Sequence, residues 1–92
     1  MARFVTKKDG TRIPFDGEKV KHAVVSAALE AELSEQEAEG VAMEVAEAVR
    51  VTFDTVEEVG STDIREKIIS ELEMISPVVA EAWKRYEEGK DE

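Results

Sequence analysis

The sequence predicts an α+β fold in which a small antiparallel β-hairpin or three-stranded sheet caps a four-helix cluster. Two short extended segments flank an Asp-Gly pair near the N-terminus, which is a strong hairpin signal. Apolar residues then recur at helical spacing in four segments. A short extended segment ending at Gly60 lies between the second and third of them. We expect one domain over residues 1–92, with a core at about 3–88 and a frayed tail at 89–92.

The hairpin is predicted over residues 3–15. Its first strand has a β-branched centre, and Asp9-Gly10 favours a two-residue turn because both residue types tolerate a positive φ. Pro14 has no backbone donor, so the return strand lies at a sheet edge or ends there. Side chains alternate between the faces of a strand, which places Val5 and Lys7 on the same face.

Two helices follow the hairpin. Asp16 is the expected N-cap of the first, which runs to about Glu32, and Ser34 with Glu37 matches a capping box that begins the second. Each helix has an apolar stripe at a spacing of three and four residues. The stripes consist of Val20, Ala23, Val24, Ala27 and Ala28 in the first helix, and of Ala38, Val41, Ala42, Val45, Ala48, Val49, Thr52 and Phe53 in the second.

The second half of the chain predicts a brief third strand and two more helices. Residues 56–59 form the strand or an extended link, and Ser61 or Thr62 caps the third helix. Ser76-Pro77 reads as the cap and first position of the fourth helix. The expected buried residues are Ile64, Ile68, Leu72 and Ile75 in the third helix, and Val79, Ala82, Trp83 and Tyr86 in the fourth.

Composition excludes several kinds of protein. Twelve Lys and Arg residues against 22 Asp and Glu residues give a net charge of −10, whereas nucleic-acid binders are usually basic, so we expect no nucleic-acid partner. The absence of cysteine excludes disulfides and thiolate metal sites, and one histidine, His22, excludes a histidine-rich metal site. Nothing near His22 suggests a catalytic triad. We therefore expect no metal site, no catalytic residue and no enzymatic activity.

The charge is unevenly distributed. Residues 1–22 carry six basic and three acidic groups, a net charge of +3, and residues 23–92 carry a net charge of −13. A basic end on an acidic body suggests a local anion site, although basic residues that only aid solubility would give the same pattern. No signal peptide is visible and no apolar run approaches the roughly 18 residues of a membrane span. We expect a cytoplasmic protein with no membrane partner.

Residues 5–20 read VTKKDGTRIPFDGEKV. This run resembles the opening signature of the ATP-cone domain, with a hydrophobic strand, a Lys-basic-Asp-Gly turn, a Pro-Phe-Asp step and a later Lys. The sequences STDIR at 61–65 and VAEAWKRY at 79–86 are similar to the third and closing helices of that family. ATP-cones form the regulatory end of many ribonucleotide reductases. They also occur in the bacterial repressor of ribonucleotide reductase genes and at the start of some archaeal kinases.

The resemblance implies a binding site for ATP or dATP, with or without Mg²⁺, between the hairpin and the helices. Val5 and Ile13 would line the base, and Val20 and Ile64 would close around it. Val5, Val20 and Ile64 have a structural alternative as ordinary core residues.

Lys7, Lys8 and Lys19 would hold the phosphates. A triphosphate carries about four negative charges, so its site needs several cations and backbone donors. Lys19 lies in the first turn of its helix, where the dipole disfavours a cation unless an anion is nearby. Surface positions on the hairpin remain an alternative for Lys8 and Arg12.

The resemblance implies three further polar roles. Asp16 would lie near the ribose or the base, Ser61 near the base, and Arg65 would add a polar contact. Asp16 and Ser61 could equally be helix caps, which favour these residue types.

The sequence departs from the family after Tyr86, where Glu87 and Glu88 stand in place of the Arg or Lys of many members. The chain also contains no reductase barrel or kinase, and without cysteine it lacks the zinc-binding, DNA-reading half of the repressor. We therefore expect either a fragment of a longer protein or a small independent gene product, for which a start at Met1 and a polar end at Glu92 are suitable.

We expect a regulatory adenine-nucleotide-binding module that acts through a homo-oligomer or a partner enzyme. The alternative is a nucleotide-independent protein–protein interaction module on the same fold.

Overall fold

The computed structural model describes the backbone of residues 2–88 and the side chains of residues 2–85. The predicted α+β class is confirmed. The expected tail at 89–92 lies outside the described residues. The elements are β1 (Phe4–Thr6), β2 (Arg12–Pro14), α1 (Gly17–Glu30), α2 (Glu35–Thr52), β3 (Glu58–Gly60), α3 (Ser61–Ile75) and α4 (Pro77–Glu88).

The three strands form one sheet with β1 in the centre. β1 pairs antiparallel with β2 and parallel with β3, so that Val5 lies opposite both Ile13 and Val59. The hairpin prediction is confirmed, but the sheet is mixed and not antiparallel throughout. Two helices separate the hairpin from β3 in the chain, and a connection of that length can return in the parallel direction.

The hairpin loop has three residues and not the predicted two. The N–H of Gly10 donates to the carbonyl of Lys7 at 2.9 Å, and the N–H of Lys7 donates to the carbonyl of Thr11 at 2.8 Å. Gly10 has a φ of +90°, which a residue with a Cβ adopts at a cost. A turn followed by a glycine in the left-handed region is the usual three-residue hairpin loop, and Lys8, Asp9 and Gly10 form it here.

Three of the four predicted helix starts agree with the structure, including that of α4 at Pro77. The carboxylate of Asp16 accepts from the N–H of Glu18 at 3.0 Å. Ser34 and Glu37 form the full capping box, with hydrogen bonds of 3.0 and 3.1 Å. The capping prediction at the third helix is wrong, because β3 runs directly into α3 and Gly60 is an N-cap without a side-chain bond.

The helices form a closed ring around the core. α1 and α3 each pack against both α2 and α4. Apart from Ala80, every buried helix position belongs to a predicted stripe. The other described stripe residues are half-buried, except Thr52, which is exposed. The side chain of Tyr86 lies outside the described residues. The buried helix residues are Val24, Ala27, Ala28, Ala38, Ala42, Val45, Val49, Ile64, Ile68, Leu72, Val79, Ala80, Ala82 and Trp83.

Val5 and Val59 belong to the same buried cluster as the helix residues. The inner face of the sheet therefore closes one end of the ring. Within the described part of the chain, no helix has the length and apolar character to cross a lipid bilayer.

Candidate functional site

The four predicted base-lining residues belong to one apolar cluster. Val5 and Ile64 are each 8% exposed, whereas Ile13 and Val20 are half-buried against the same core. Val5 and Ile13 are register partners in the hairpin. These residues therefore join the sheet to α1 and α3. That arrangement agrees with both interpretations of them, as residues that line the base and as ordinary core residues.

The two hairpin lysines are exposed beside this apolar face. The bond from the N–H of Lys7 to the carbonyl of Thr11 extends the strand pairing one residue beyond β1. Alternation therefore keeps Lys7 on the face of Val5 and Ile13. Lys8 is the first loop residue, and this pairing does not fix its face.

Asp16 and Lys19 lie at the start of α1, and both are exposed. They line a depression of about 800 Å³ beside α1, together with Glu18, Lys21, His22 and, from α2, Glu39. Neither hairpin lysine lines that depression. Sequence reasoning did not include Lys21 in the site, and its spacing from Lys19 gives no signal, because residues two apart on a helix do not share a face.

Ser61 and Arg65 lie one turn apart on α3, and both are half-buried. Arg65 also lines a groove of about 490 Å³ between α3 and α4, with Ile69, Trp83 and Lys84 among its other lining residues. Ser61 does not line that groove. Ser61 lies beside the sheet, because β3 leads directly into α3. Arg65, one turn later, faces the groove between α3 and α4.

Two groups stand out among the described cations. Each member of the first group pairs with a glutamate, and these are Arg3, Arg12, Arg50, Lys67 and Lys84. By contrast, within residues 2–85, no carboxylate lies within ion-pair distance of Lys7, Lys8 or Lys19. In a chain with ten more acids than bases, these three ammonium groups and that of Lys21 can take an added anion without breaking a described ion pair, although the Asp9 carboxylate interacts electrostatically with Lys7.

Arg12 lies on the opposite face of the sheet from Val5. Its guanidinium is 3.3 Å from the carboxylate of Glu58 and 4.7 Å from the centre of the Phe4 ring. The hydroxyl of Thr6 also donates to Glu58. Sequence reasoning missed Glu58, because only the parallel register of β3 brings it to the hairpin.

No group of His, Asp and Glu side chains in the described part of the chain is arranged to hold a metal ion. The carboxylate of Asp16 is used as a helix cap. The described residues therefore offer cations and apolar side chains for a ligand, and no preformed cation site.

Comparison with known proteins agrees with these features. The family model described as "ATP cone domain" matches residues 3–91. A relative described as "Transcriptional repressor NrdR", from Rhodopirellula baltica (strain DSM 10527 / NCIMB 13988 / SH1), is 29% identical over 91 residues. The alignment covers 95% of this chain and 57% of the relative. The chain therefore spans little more than half the length of that protein. A transcriptional repressor among the relatives argues against our expectation that the chain has no nucleic-acid partner.

Proposed function

This chain belongs to the ATP-cone domain family, and from that premise we propose that it binds ATP or dATP between the hairpin and the helices, as a regulatory domain without catalytic residues. One observation carries the proposal: Lys7, without an ion-pair partner among residues 2–85, shares a sheet face with the apolar pair Val5 and Ile13. A nucleotide has the matching chemistry, an apolar base joined to a polyanion.

The adenine base contacts the apolar side of the site. Val5 and Ile13 line it from the sheet, while Val20 and Ile64 enclose it from α1 and α3. The partial exposure of Ile13 and Val20 supports this role, whereas Val5 and Ile64, each 8% exposed, offer a ligand only a small part of their surface. Burial of an apolar ring contributes roughly 25 cal/mol for each Å² removed from water.

The phosphates are held by Lys7, Lys8 and Lys19. Placing an anion beside these lysines is favourable because none of the three gives up an existing ion pair to bind it. Lys19 also lies where the N-terminal dipole of α1 attracts an anion. These lysines neutralise the negative charge of the phosphates. Any Mg²⁺ enters the site bound to the nucleotide and is not held by the protein beforehand.

Three polar residues complete the proposed site. Ser61 contacts the base from the first turn of α3, and Arg65 adds a contact one turn later. Asp16 lies near the ribose or the base. Its carboxylate already accepts a hydrogen bond from the N–H of Glu18 as the cap of α1. A ribose hydroxyl would therefore bind to the lone pairs that this bond leaves unused.

Calorimetric titration with ATP, dATP and GTP tests the proposal. We expect ATP or dATP to bind more tightly than GTP, and Lys7→Ala and Lys19→Ala to weaken that binding. Lys67→Ala is the matched control, since Lys67 pairs with Glu71 at 3.0 Å within α3. Absence of heat with every nucleotide would overturn the proposal and leave the interaction module as the better hypothesis.

A second candidate function is nucleotide-dependent control of transcription, which the repressor among the relatives favours. In that case, ATP or dATP changes the affinity of the natural protein for DNA through this domain. Fluorescence anisotropy with selected and random DNA duplexes, with and without nucleotide, tests it. Affinity that is equal for all sequences and indifferent to nucleotide would rule it out.

A further inference from the structure

Glu58 connects all three strands of the sheet through one carboxylate. It lies on β3, accepts a hydrogen bond from Thr6 on β1, and pairs with Arg12 on β2 at 3.3 Å. β1 lies between the other two strands, so the side chain reaches across the central strand. The guanidinium that it holds also covers the ring of Phe4 at 4.7 Å.

This contact lies on the sheet face that points away from the proposed nucleotide. Glu58 is the register partner of Phe4, one residue from the pair formed by Val5 and Val59. Side chains at neighbouring positions point to opposite faces. Glu58 therefore cannot touch a ligand beside Val5, and any effect that it has on binding acts through other residues.

The bridge joins the two halves of the proposed site. One half is the hairpin, which carries Lys7 and Lys8. The other half is the start of α3, which follows β3 without an intervening loop and carries Ser61. Two three-residue strands are marginally stable as an isolated hairpin, so contacts to β3 determine where the hairpin lies.

We infer that Glu58 is a positioning residue for nucleotide binding, which holds the hairpin lysines at the correct place relative to α3. The inference rests on the nucleotide site proposed above. Without the carboxylate, Arg12 loses its ion pair and Thr6 loses its charged acceptor, so the hairpin is held only by its backbone hydrogen bonds and by the packing of Val5 and Ile13 against the core. The lysines are then less well placed before binding, and ligand affinity falls because the ligand must order them.

Glu57→Gln provides a matched control for Glu58→Gln. Glu57 is the preceding residue and pairs with Arg3 at 3.6 Å, with both side chains more than 70% exposed. Each substitution removes one negative charge from the same short segment. A general effect of net charge on nucleotide binding would therefore appear equally in both variants.

The test is calorimetric titration with ATP, together with hydrogen exchange of the hairpin amides in the free proteins. We expect Glu58→Gln to weaken ATP binding by up to about fivefold, the most that a solvent-exposed ion pair typically contributes, and Glu57→Gln to change it little. The amides of Arg3 and Phe4, which donate to the carbonyl of Glu57 and so tie the hairpin to the β3 segment, exchange faster in Glu58→Gln, while the amides in the middle of α2 keep their protection. The exchange of charges in Arg12→Glu with Glu58→Arg restores much of the affinity.

The outcomes separate this inference from the proposed function. If the wild-type chain binds no nucleotide, the proposed function fails and the inference fails with it. If the wild-type chain binds ATP and Lys7→Ala weakens binding, but Glu58→Gln behaves as Glu57→Gln does, only the positioning role is overturned. Unchanged exchange at Arg3 and Phe4 in a variant with weakened binding would also overturn it, since the hairpin would then keep its contact with the β3 segment.

Discussion

The backbone of Lys7 pairs with that of Thr11 in one direct hydrogen bond of 2.8 Å, and this bond determines the face on which Lys7 lies. It continues the ladder beyond β1, so Lys7 keeps the orientation of Val5. Lys8, next in the chain, belongs to the loop and has no such constraint. The two lysines are adjacent in sequence and are not equivalent in structure.

We therefore predict that Lys7→Met weakens ATP binding more than Lys8→Met does. Methionine keeps most of the apolar stem and removes only the charge, and a hydrogen bond to a charged group contributes about 1.5–3 kcal/mol. Titration calorimetry at low and moderate salt measures both variants. The salt dependence of binding decreases in each case, because fewer cations face the phosphates. A larger effect at Lys8 would contradict the assignment of faces.

Gly10→Ala should destabilise the hairpin. Gly10 has a φ of +90° with open space around an added Cβ, so the cost arises from the backbone conformation and amounts to about 1–2 kcal/mol. Urea denaturation measures the free energy of unfolding.

Gly40→Ala is the matched control, because Gly40 is an exposed position within α2 where an added Cβ meets no atom within 4 Å. Alanine there should stabilise the chain by up to about 1 kcal/mol. Equal signs for the two substitutions would contradict the described loop.

The hairpin and the helices could be predicted from sequence because each carries a local signal. Each signal acts on its own backbone or on neighbouring residues. The signals are glycine in the loop, serine with glutamate at the start of α2, and proline at the start of α4. The buried stripes need only helical periodicity. The predicted cap of α3 is wrong because the helix already begins at Ser61, directly after β3. The N-cap position therefore falls on Gly60, which has no side chain to accept a hydrogen bond.

The sheet register could not be predicted in the same way. β3 has three residues, too few for an alternating pattern, and its direction depends on how two helices pack. The pairing of Arg12 with Glu58 follows from that register, and 22 acidic residues offer no means of choosing the partner from sequence. The proposed nucleotide contacts of the predicted residues remain a prediction, since they require a ligand.

Leu72→Ala should be strongly destabilising. Leu72 is fully buried in α3 at 0% exposure, and removal of such a side chain typically costs 2–5 kcal/mol through lost burial and the remaining cavity, with about 3 kcal/mol expected here. Leu29→Ala is the matched control, because Leu29 is 43% exposed in α1 and should lose much less. Urea denaturation of both variants measures the difference. A similar loss at the two positions would contradict the burial of α3 within the ring.

The capping box of α2 should make stability depend on pH in the acidic range. The backbone N–H of Ser34 donates to the carboxylate of Glu37 and holds the pKa of that carboxyl below its ordinary value. A carboxyl whose pKa is lower in the folded state than in the unfolded state binds fewer protons when folded, so unfolding takes up protons as the pH falls. Its stabilising contribution is complete above the unfolded pKa and is lost as the pH falls through the folded pKa.

Glu37→Gln tests this pH dependence, because glutamine keeps an oxygen acceptor for the N–H of Ser34 and cannot titrate. The free energy of unfolding, measured by urea denaturation from pH 3 to pH 7, should fall less steeply towards low pH in Glu37→Gln than in the wild-type chain. Glu35→Gln is the matched control: it lies in the same first turn, removes the same charge, and should leave more of the wild-type slope. Identical slopes in the two variants would mean that helix-dipole electrostatics, which both glutamates share, and not the hydrogen bond to Ser34, produces the dependence.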